Sequence, residues 1–175
     1  MKQKILFIDR DGTLIHEPSD TFQIDSIQKI LFKKYVISSL YKLTKLNYKL
    51  IMITNQDGLG TDSFPLKNFN IPNRFILDIF SSENIIFDDI LICPHFLWEN
   101  CNCRKPLSTM LKPWLIDDVI DRKHSYIIGD RDTDMILAKN INLTGIRYQD
   151  RNCTWKNIVK IILQRNRFGK VVRKT

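Results

Sequence analysis

Two aspartates directly after the first apolar run are the residues with the clearest potential for chemistry. Asp9 and Asp11 follow the run Ile5 to Ile8 and are separated by one residue. If this run is a strand, both carboxylates can face one cleft, because strand side chains alternate with period two. Gly12 permits the sharp turn that brings the next loop back over that cleft. Taken alone, the motif is as consistent with an aspartate-rich turn as with a catalytic pair.

Three later groups of polar residues carry compatible chemistry. Thr54 and Asn55 can donate hydrogen bonds to phosphoryl oxygens, although Thr54 by itself is also a good helix cap. Lys105 supplies a compact positive charge, and the proline that follows it suits the first turn of a helix. The acidic segment from Asp130 to Asp134 offers the oxygen ligands that Mg²⁺ prefers, or again a helix cap.

The segments between these groups predict the scaffold that must position them. Continuous apolar runs indicate strands buried on both faces, and they lie at residues 5–8, 50–53, 90–92, 126–128 and 145–148. Helical spacing alternates with them at residues 35–46, 74–82, 110–120, 133–140 and 155–163. This alternation predicts an α/β fold, a Rossmann-like open parallel sheet flanked by helices.

The polar residues follow the predicted strands, and this regularity indicates where a site would form. In open parallel sheets, ligands bind beyond the carboxyl ends of the strands, so the polar groups after these strands should converge on one rim. The loops at residues 17–26 and 58–72 are long enough to carry substrate contacts beside that rim.

Three of the four cysteines crowd around a histidine in residues 93–103. Cys93 and His95 stand at one end of this segment, and Cys101 and Cys103 stand at the other. A Cys₃His set is a usual ligand sphere for structural Zn²⁺, whereas the alternative is a group of unrelated buried cysteines. Four protein ligands leave no open position, so we expect a structural zinc that also fixes where nearby Lys105 points.

The bulk composition excludes several classes of protein. Lys and Arg outnumber Asp and Glu by 27 to 19, a net charge of +8, but the basic residues are scattered apart from a cluster near the C-terminus. No nucleic-acid recognition signature accompanies them, and no apolar run approaches the ~20 residues that a bilayer span needs. We therefore expect a cytoplasmic protein with neither nucleic-acid nor membrane partners.

The four polar motifs in this order resemble those of the haloacid dehalogenase superfamily of phosphotransferases, most specifically in Asp9 to Leu14. That resemblance implies Asp9 as a nucleophile that forms an aspartyl-phosphate, and Asp11 as the general acid and base. It also implies catalytic Mg²⁺ held by the Asp9 carboxylate, the Asp11 backbone carbonyl and Asp130, with Asp134 nearby or bonded through water. Thr54 and Lys105 would stabilise the transferring phosphoryl group.

A narrower resemblance comes from the cysteine-bearing loop and from the segments at residues 4–18, 56–65 and 91–106. These are similar to the histidinol-phosphate phosphatases, in particular to the phosphatase half of a bifunctional enzyme whose second half is an imidazoleglycerol-phosphate dehydratase. The resemblance implies a phosphatase domain at residues 1–165 and a tail at 166–175 resembling the start of a second domain. The His-rich motifs of that second domain are not found in this chain, so we expect no dehydratase activity from it.

Substrate identity has two candidates within this superfamily, L-histidinol phosphate and a heptose bisphosphate. Besides Thr54, Asn55 and Lys105, we predict substrate contacts from Glu17 and Asp57, whose charge and loop position suit an amino group. The rival outside the superfamily is a zinc-stabilised, non-enzymatic module that binds nucleic acid, which explains the charge and the cysteines but not the carboxylates.

Overall fold

A five-stranded parallel sheet forms the centre of the computed structural model, which describes residues 2–171 and the side chains of residues 2–166. The strands are β1 (Lys4–Asp9), β2 (Tyr48–Asn55), β3 (Asp89–Cys93), β4 (Tyr126–Gly129) and β5 (Thr144–Arg147). Their spatial order is β3-β2-β1-β4-β5. The predicted α/β architecture is confirmed, and each predicted strand lies within or overlaps an observed one.

The central residues of the strands are largely apolar because both faces of the sheet are covered. One core cluster includes Leu6, Ile8 and Trp155, and the other includes Phe7 and Ile127. Neighbouring residues of β1 thus contribute to opposite layers, as the period of two requires. The flanking helices are α1 (Val36–Thr44), α2 (Leu66–Ser82), α3 (Asp132–Asn140) and α4 (Trp155–Val171).

Two helix predictions were wrong. Residues 110–120 do not form an α-helix; a short 3₁₀ helix spans Thr109–Trp114 and turns follow it, because Pro113 lacks the N–H that a helix interior needs. The second wrong prediction is that Pro106 opens a helix. The next helical turn begins only at Thr109, and the Lys105–Pro106 peptide is cis. The predicted loop at 58–72 is shorter than expected, since α2 begins at Leu66 and continues through Pro72.

The strand order determines where the predicted site residues lie. From β1 the chain moves outward through β2 and β3 and then crosses back to β4 on the other side of β1. Ligand sites form at such a switch of direction, beyond the carboxyl ends of the strands. Asp9 pairs with Ile53 in the register, and Asn55 pairs with Cys93, so the ends of β1, β2 and β3 are close together.

The last helix runs across the predicted boundary between residues 165 and 166. The assignment of residues 166–175 to a tail remains a prediction, and residues 172–175 lie outside the described part of the chain. None of the helices within residues 2–171 combines the length and apolar character that crossing a bilayer demands.

Candidate active site

Three carboxylates meet where β1 and β4 end. Asp9, Asp130 and Asp134 each offer an oxygen within 4.8 Å of the others, and Asp134 is fully buried. Two glycines make room for them, because a Cβ on Gly12 would lie 2.4 Å from the Asp130 Oδ2 and one on Gly129 would lie 2.3 Å from the Asp134 Cγ. Clustered carboxylate oxygens at this spacing fit a hard cation such as Mg²⁺, which takes oxygen ligands at about 2.1 Å.

Lys105 is the counter-charge inside this cluster. Its ammonium donates to Asp9 Oδ1 at 2.5 Å and to Asp134 Oδ1 at 2.7 Å, and the side chain is 4% exposed. Burial raises the pKa of Asp9 well above its ordinary value; Lys105 opposes this rise and Asp134 adds to it. Burial also disfavours the Lys105 ammonium, but the two carboxylates outweigh burial and leave the pKa of Lys105 raised. The lysine therefore stays charged in the site.

Asp11 is held by a separate group of donors. Arg10 Nη1 contacts both carboxylate oxygens of Asp11, at 2.9 and 3.0 Å, and Gln56 Nε2 donates to Asp11 Oδ2 at 2.6 Å. The Thr54 hydroxyl lies 3.4 Å from the same oxygen and accepts from Gln56 at 2.7 Å. The Asp11 carboxylate is thus fixed at the edge of the carboxylate cluster, while still lining the small cleft that also contains Asp9.

Arg10 itself is fully buried, with its guanidinium over the Phe69 ring at 4.8 Å from the ring centroid. A buried arginine is expensive unless it is paired, and Asp11 is the carboxylate that pairs with it. On the other side of the cleft the Thr13 hydroxyl lies 3.2 Å from Asp130 Oδ1 and 3.4 Å from Asp9 Oδ2.

A cavity of about 450 Å³ adjoins the cleft that contains Asp9 and Lys105. Glu17, Asn55 and Arg131 border both, so a ligand held at the cleft can extend into the larger space. Both predicted acidic contacts line this cavity, but each is paired with an arginine. Arg131 donates to the two Glu17 oxygens at 2.5 and 2.6 Å, and Arg104 donates to Asp57.

The side chain of Asn55 contacts the backbone of Lys105. Its Oδ1 accepts from the Lys105 N–H at 3.0 Å, and its Nδ2 donates to the Lys105 carbonyl at 3.2 Å. The residue also borders the cavity, as a predicted substrate contact should.

The sulfur and imidazole groups of residues 93–103 form a second cluster. Cys93 Sγ lies 3.6 Å from Cys101 Sγ and 3.2 Å from Cys103 Sγ, and His95 Nδ1 lies 3.3 Å from Cys103 Sγ. A tetrahedral zinc with Zn–S bonds of about 2.3 Å would separate its sulfurs by about 3.8 Å. The four predicted ligands therefore lie at a spacing that fits a zinc ion.

Several residues of the site were not singled out from the sequence. Arg10 and Thr13 belong to the first motif, yet their side chains were assigned no role; Gln56 and Arg131 directly follow predicted site residues. Period-two alternation would have placed Gln56 beside Thr54 on one face. The ion pair of Arg131 with Glu17 had no local signal, because 114 positions separate the two residues.

The geometry agrees with the comparisons to known families. Residues 4–142 match the family described as polynucleotide kinase 3 phosphatase, so the chain belongs to this family of phosphatases. The family assignment argues against the non-enzymatic nucleic-acid-binding module.

The chain is also similar to proteins called histidine biosynthesis bifunctional protein HisB. It is 63% identical over 175 residues to the one from Buchnera aphidicola subsp. Schizaphis graminum and 50% identical over 175 residues to the one from Campylobacter jejuni. All of this chain is covered in both cases, but only 49% of each relative. The chain thus spans about half the length of these curated relatives.

Solved structures share the fold at low sequence identity. A D,D-heptose 1,7-bisphosphate phosphatase from B. bronchiseptica, complexed with magnesium and phosphate, matches with a TM-score of 0.79 at 20% identity and covers 93% of this chain and 99% of its own. A haloacid dehalogenase-family enzyme from Bacteroides thetaiotaomicron, also with magnesium and inorganic phosphate, matches with a TM-score of 0.54 at 15% identity, covering 86% and 96%. The fold is that of haloacid dehalogenase-superfamily phosphatases.

Proposed function

We propose that this chain is a Mg²⁺-dependent phosphatase domain that hydrolyses L-histidinol phosphate to L-histidinol and phosphate in histidine biosynthesis. The observation that carries the proposal is the buried arrangement of Asp9, Lys105 and Asp134 at a cleft that adjoins a cavity of about 450 Å³. The histidine-biosynthesis assignment draws on the relatives named above.

In the first step the Asp9 carboxylate attacks the phosphorus atom in line, and the bond from phosphorus to the substrate oxygen breaks. Asp11 enters this step protonated and gives that proton to the departing alkoxide, so that the histidinol hydroxyl leaves in its neutral form. In the second step Asp11 takes a proton from water, the water oxygen attacks phosphorus, and the Asp9 carboxylate is released. The Thr54 hydroxyl and Lys105 ammonium donate to the phosphoryl oxygens throughout.

Asp9, Asp130 and the Asp11 backbone carbonyl would hold the magnesium, with Asp134 in contact directly or through water. When bound, the cation neutralises the charge of the carboxylates and of the phosphoryl oxygens. Without it, the three acids face one ammonium, and burial keeps the pKa of Asp9 raised. A bound cation at this position would offset the excess of negative charge.

The cavity beyond the cleft would receive the non-phosphate part of the substrate. Glu17 and Asp57 are proposed to bind the substrate's amino group, with Asn55 at the boundary of the cleft. Glu17→Gln and Asp57→Asn should raise KM about tenfold while kcat changes little, because each substitution removes a negative charge that would attract the amino group. Unchanged KM values in both variants would remove these two residues from the substrate site.

The experiment that tests the substrate is a comparison of kcat/KM across phosphomonoesters. L-histidinol phosphate should exceed sugar phosphates and simple alkyl phosphates by at least about 100-fold. A heptose bisphosphate is the second candidate, favoured by the fold match with a heptose bisphosphate phosphatase. A higher kcat/KM for the heptose bisphosphate would replace the first substrate with the second.

We further propose that the thiol cluster binds one structural Zn²⁺ and that residues 166–175 lead into a fused dehydratase domain in the whole protein. The proposed pathway places the protein in the cytoplasm, which cell fractionation tests. Elemental analysis of the purified chain should find about one zinc per chain.

A further inference from the structure

Lys105 lies in a part of the chain that has no regular secondary structure. Residues 100–108 form bends and turns between two short 3₁₀ helices, so no helix or sheet hydrogen bonds fix the backbone of Lys105. Its ammonium must nevertheless reach both Asp9 and Asp134 with close contacts. A lysine has a long, flexible side chain, and shifts of about 1 Å in a reacting group cost about 100-fold in rate. Something must therefore hold its backbone.

The side chain of Asn55 supplies that support. One amide group makes two hydrogen bonds to one residue, accepting from the Lys105 N–H and donating to its carbonyl. An adjacent β-strand would offer an extended residue the same pair of hydrogen bonds. Here a side chain 50 positions away in the sequence makes them. Both polar groups of the amide are thereby occupied.

Asn55 is itself firmly placed. It ends β2, where it pairs with Cys93 of β3, and the next residue donates its N–H to the Cys93 carbonyl at 2.7 Å. The lysine loop is thus tied to the sheet at the residue that carries the charge.

We infer that Asn55 is a positioning residue that acts through Lys105, in addition to bordering the substrate cavity. This inference rests on the proposed phosphatase function, since its effect is seen in turnover. A residue that only binds substrate affects KM, whereas a residue that orients Lys105 affects kcat and has no effect once the lysine is absent.

The test uses Asn55→Leu, which keeps the size of the side chain and removes both hydrogen bonds. Asn140→Leu is the matched control, because Asn140 Nδ2 donates to the Pro106 carbonyl at 3.2 Å, in the same loop but one residue beyond the lysine. Asn55→Leu should lower kcat about 10- to 100-fold with KM within about twofold, and Asn140→Leu should leave both within about twofold. Thermal melting confirms that both variants are folded.

A double-mutant cycle gives the sharper result. In a Lys105→Met background, whose residual turnover is measured at high enzyme concentration, Asn55→Leu should cause no further loss in kcat. Additive losses in the two variants would overturn the inference, as would a rise in KM with kcat preserved, or an equal loss in Asn140→Leu.

A measurement on the unmodified chain covers the case in which Asn55→Leu does not fold. The Lys105 amide proton should exchange with solvent at least about tenfold more slowly than an unprotected amide of the same local sequence, because its N–H is bonded to Asn55 Oδ1. Exchange at the unprotected rate would contradict the inference. If the unmodified chain lacks phosphatase activity but this amide is protected, the proposed function fails while the contact stands.

Discussion

Two ligand clusters lie close together in this molecule, and they are assembled in opposite ways. The carboxylate cluster joins residues from separate elements; Lys105 and Asp9, for example, are 96 positions apart. The thiol cluster takes all four residues from one short segment, with Cys93 and Cys103 only 10 positions apart.

The support around each cluster differs accordingly. Asp9 and Asp134 are buried and Asp130 is half-buried at the ends of β1 and β4, where two glycines leave room for the carboxylates. The thiols lie mostly in irregular chain, and three of the four ligand residues are only half-buried. The sheet therefore holds the first cluster, where a metal would serve chemistry, whereas a metal in the second cluster would hold its own loop together.

The largest effect should come from the nucleophile. Asp9→Asn should lower phosphate release by about 10⁴-fold or more, because an amide cannot form the acyl-phosphate. Zinc content and melting temperature should stay close to those of the parent chain, since the sheet holds this cluster. Retention of full turnover in a metal-replete assay would show that the covalent mechanism is wrong.

The second-largest effect should come from Gly12→Ala, which should lower kcat/KM about 100-fold and weaken the apparent affinity for Mg²⁺. A Cβ at this position would lie 2.4 Å from the Asp130 carboxylate, at a positive φ of 83°. Gly60→Ala is the matched control, because its φ is also positive, at 95°, while its nearest contact would be 3.8 Å away. Equal Mg²⁺ dependence in the two variants would mean that backbone strain alone matters.

Substitution in the thiol cluster should instead change zinc content and thermal stability. Cys101→Ser should remove most of the bound zinc and lower Tm by about 5–10 °C, equivalent to about 2–3 kcal/mol for a domain of this size. Cys153→Ser is the control, since Cys153 lies outside the cluster. Elemental analysis and thermal melting check both variants; a zinc-free chain with an unchanged Tm rules out a structural metal.

The smallest effect is expected outside both clusters, at Asp150. Burial opposes ionisation of this carboxyl, but hydrogen bonds from Lys33 and Tyr148 outweigh burial and hold the pKa of Asp150 below its ordinary value. Because the Asp150 side chain is 55% exposed, solvent screens the pair, and Asp150→Asn should cost only about 0.5 kcal/mol.

The lowered pKa of Asp150 determines how its contribution to stability depends on pH. A depressed folded pKa gives stability that is complete above the unfolded pKa of about 3.9 and is lost as pH falls through the folded value. Urea unfolding of both chains at several pH values checks this, with turnover and zinc content unchanged in Asp150→Asn. A difference in unfolding free energy that grows toward low pH would contradict the assignment.

Predictions from the sequence succeeded where the signal is local or periodic. Continuous apolar runs identified all five strands, since burial on both faces requires such runs in a parallel sheet. The predicted helix at residues 110–120 is wrong because Pro113 lacks the N–H of a helix interior, although the apolar residues follow helical spacing. The start of α2 is also missed: the predicted loop extends to residue 72, whereas the helix begins at Leu66 and contains Pro72.

The sequence by itself determined the order of the five strands along the chain, the first carboxylate motif and the four residues of the thiol cluster. These depend on contacts between residues a few positions apart, which spacing records directly. Only the tertiary structure decided that Lys105 lies between Asp9 and Asp134, that Asn55 holds the lysine backbone, and that Arg131 pairs with Glu17. Those contacts join residues that only the crossover of the chain around the sheet brings together, and no local pattern encodes such a meeting.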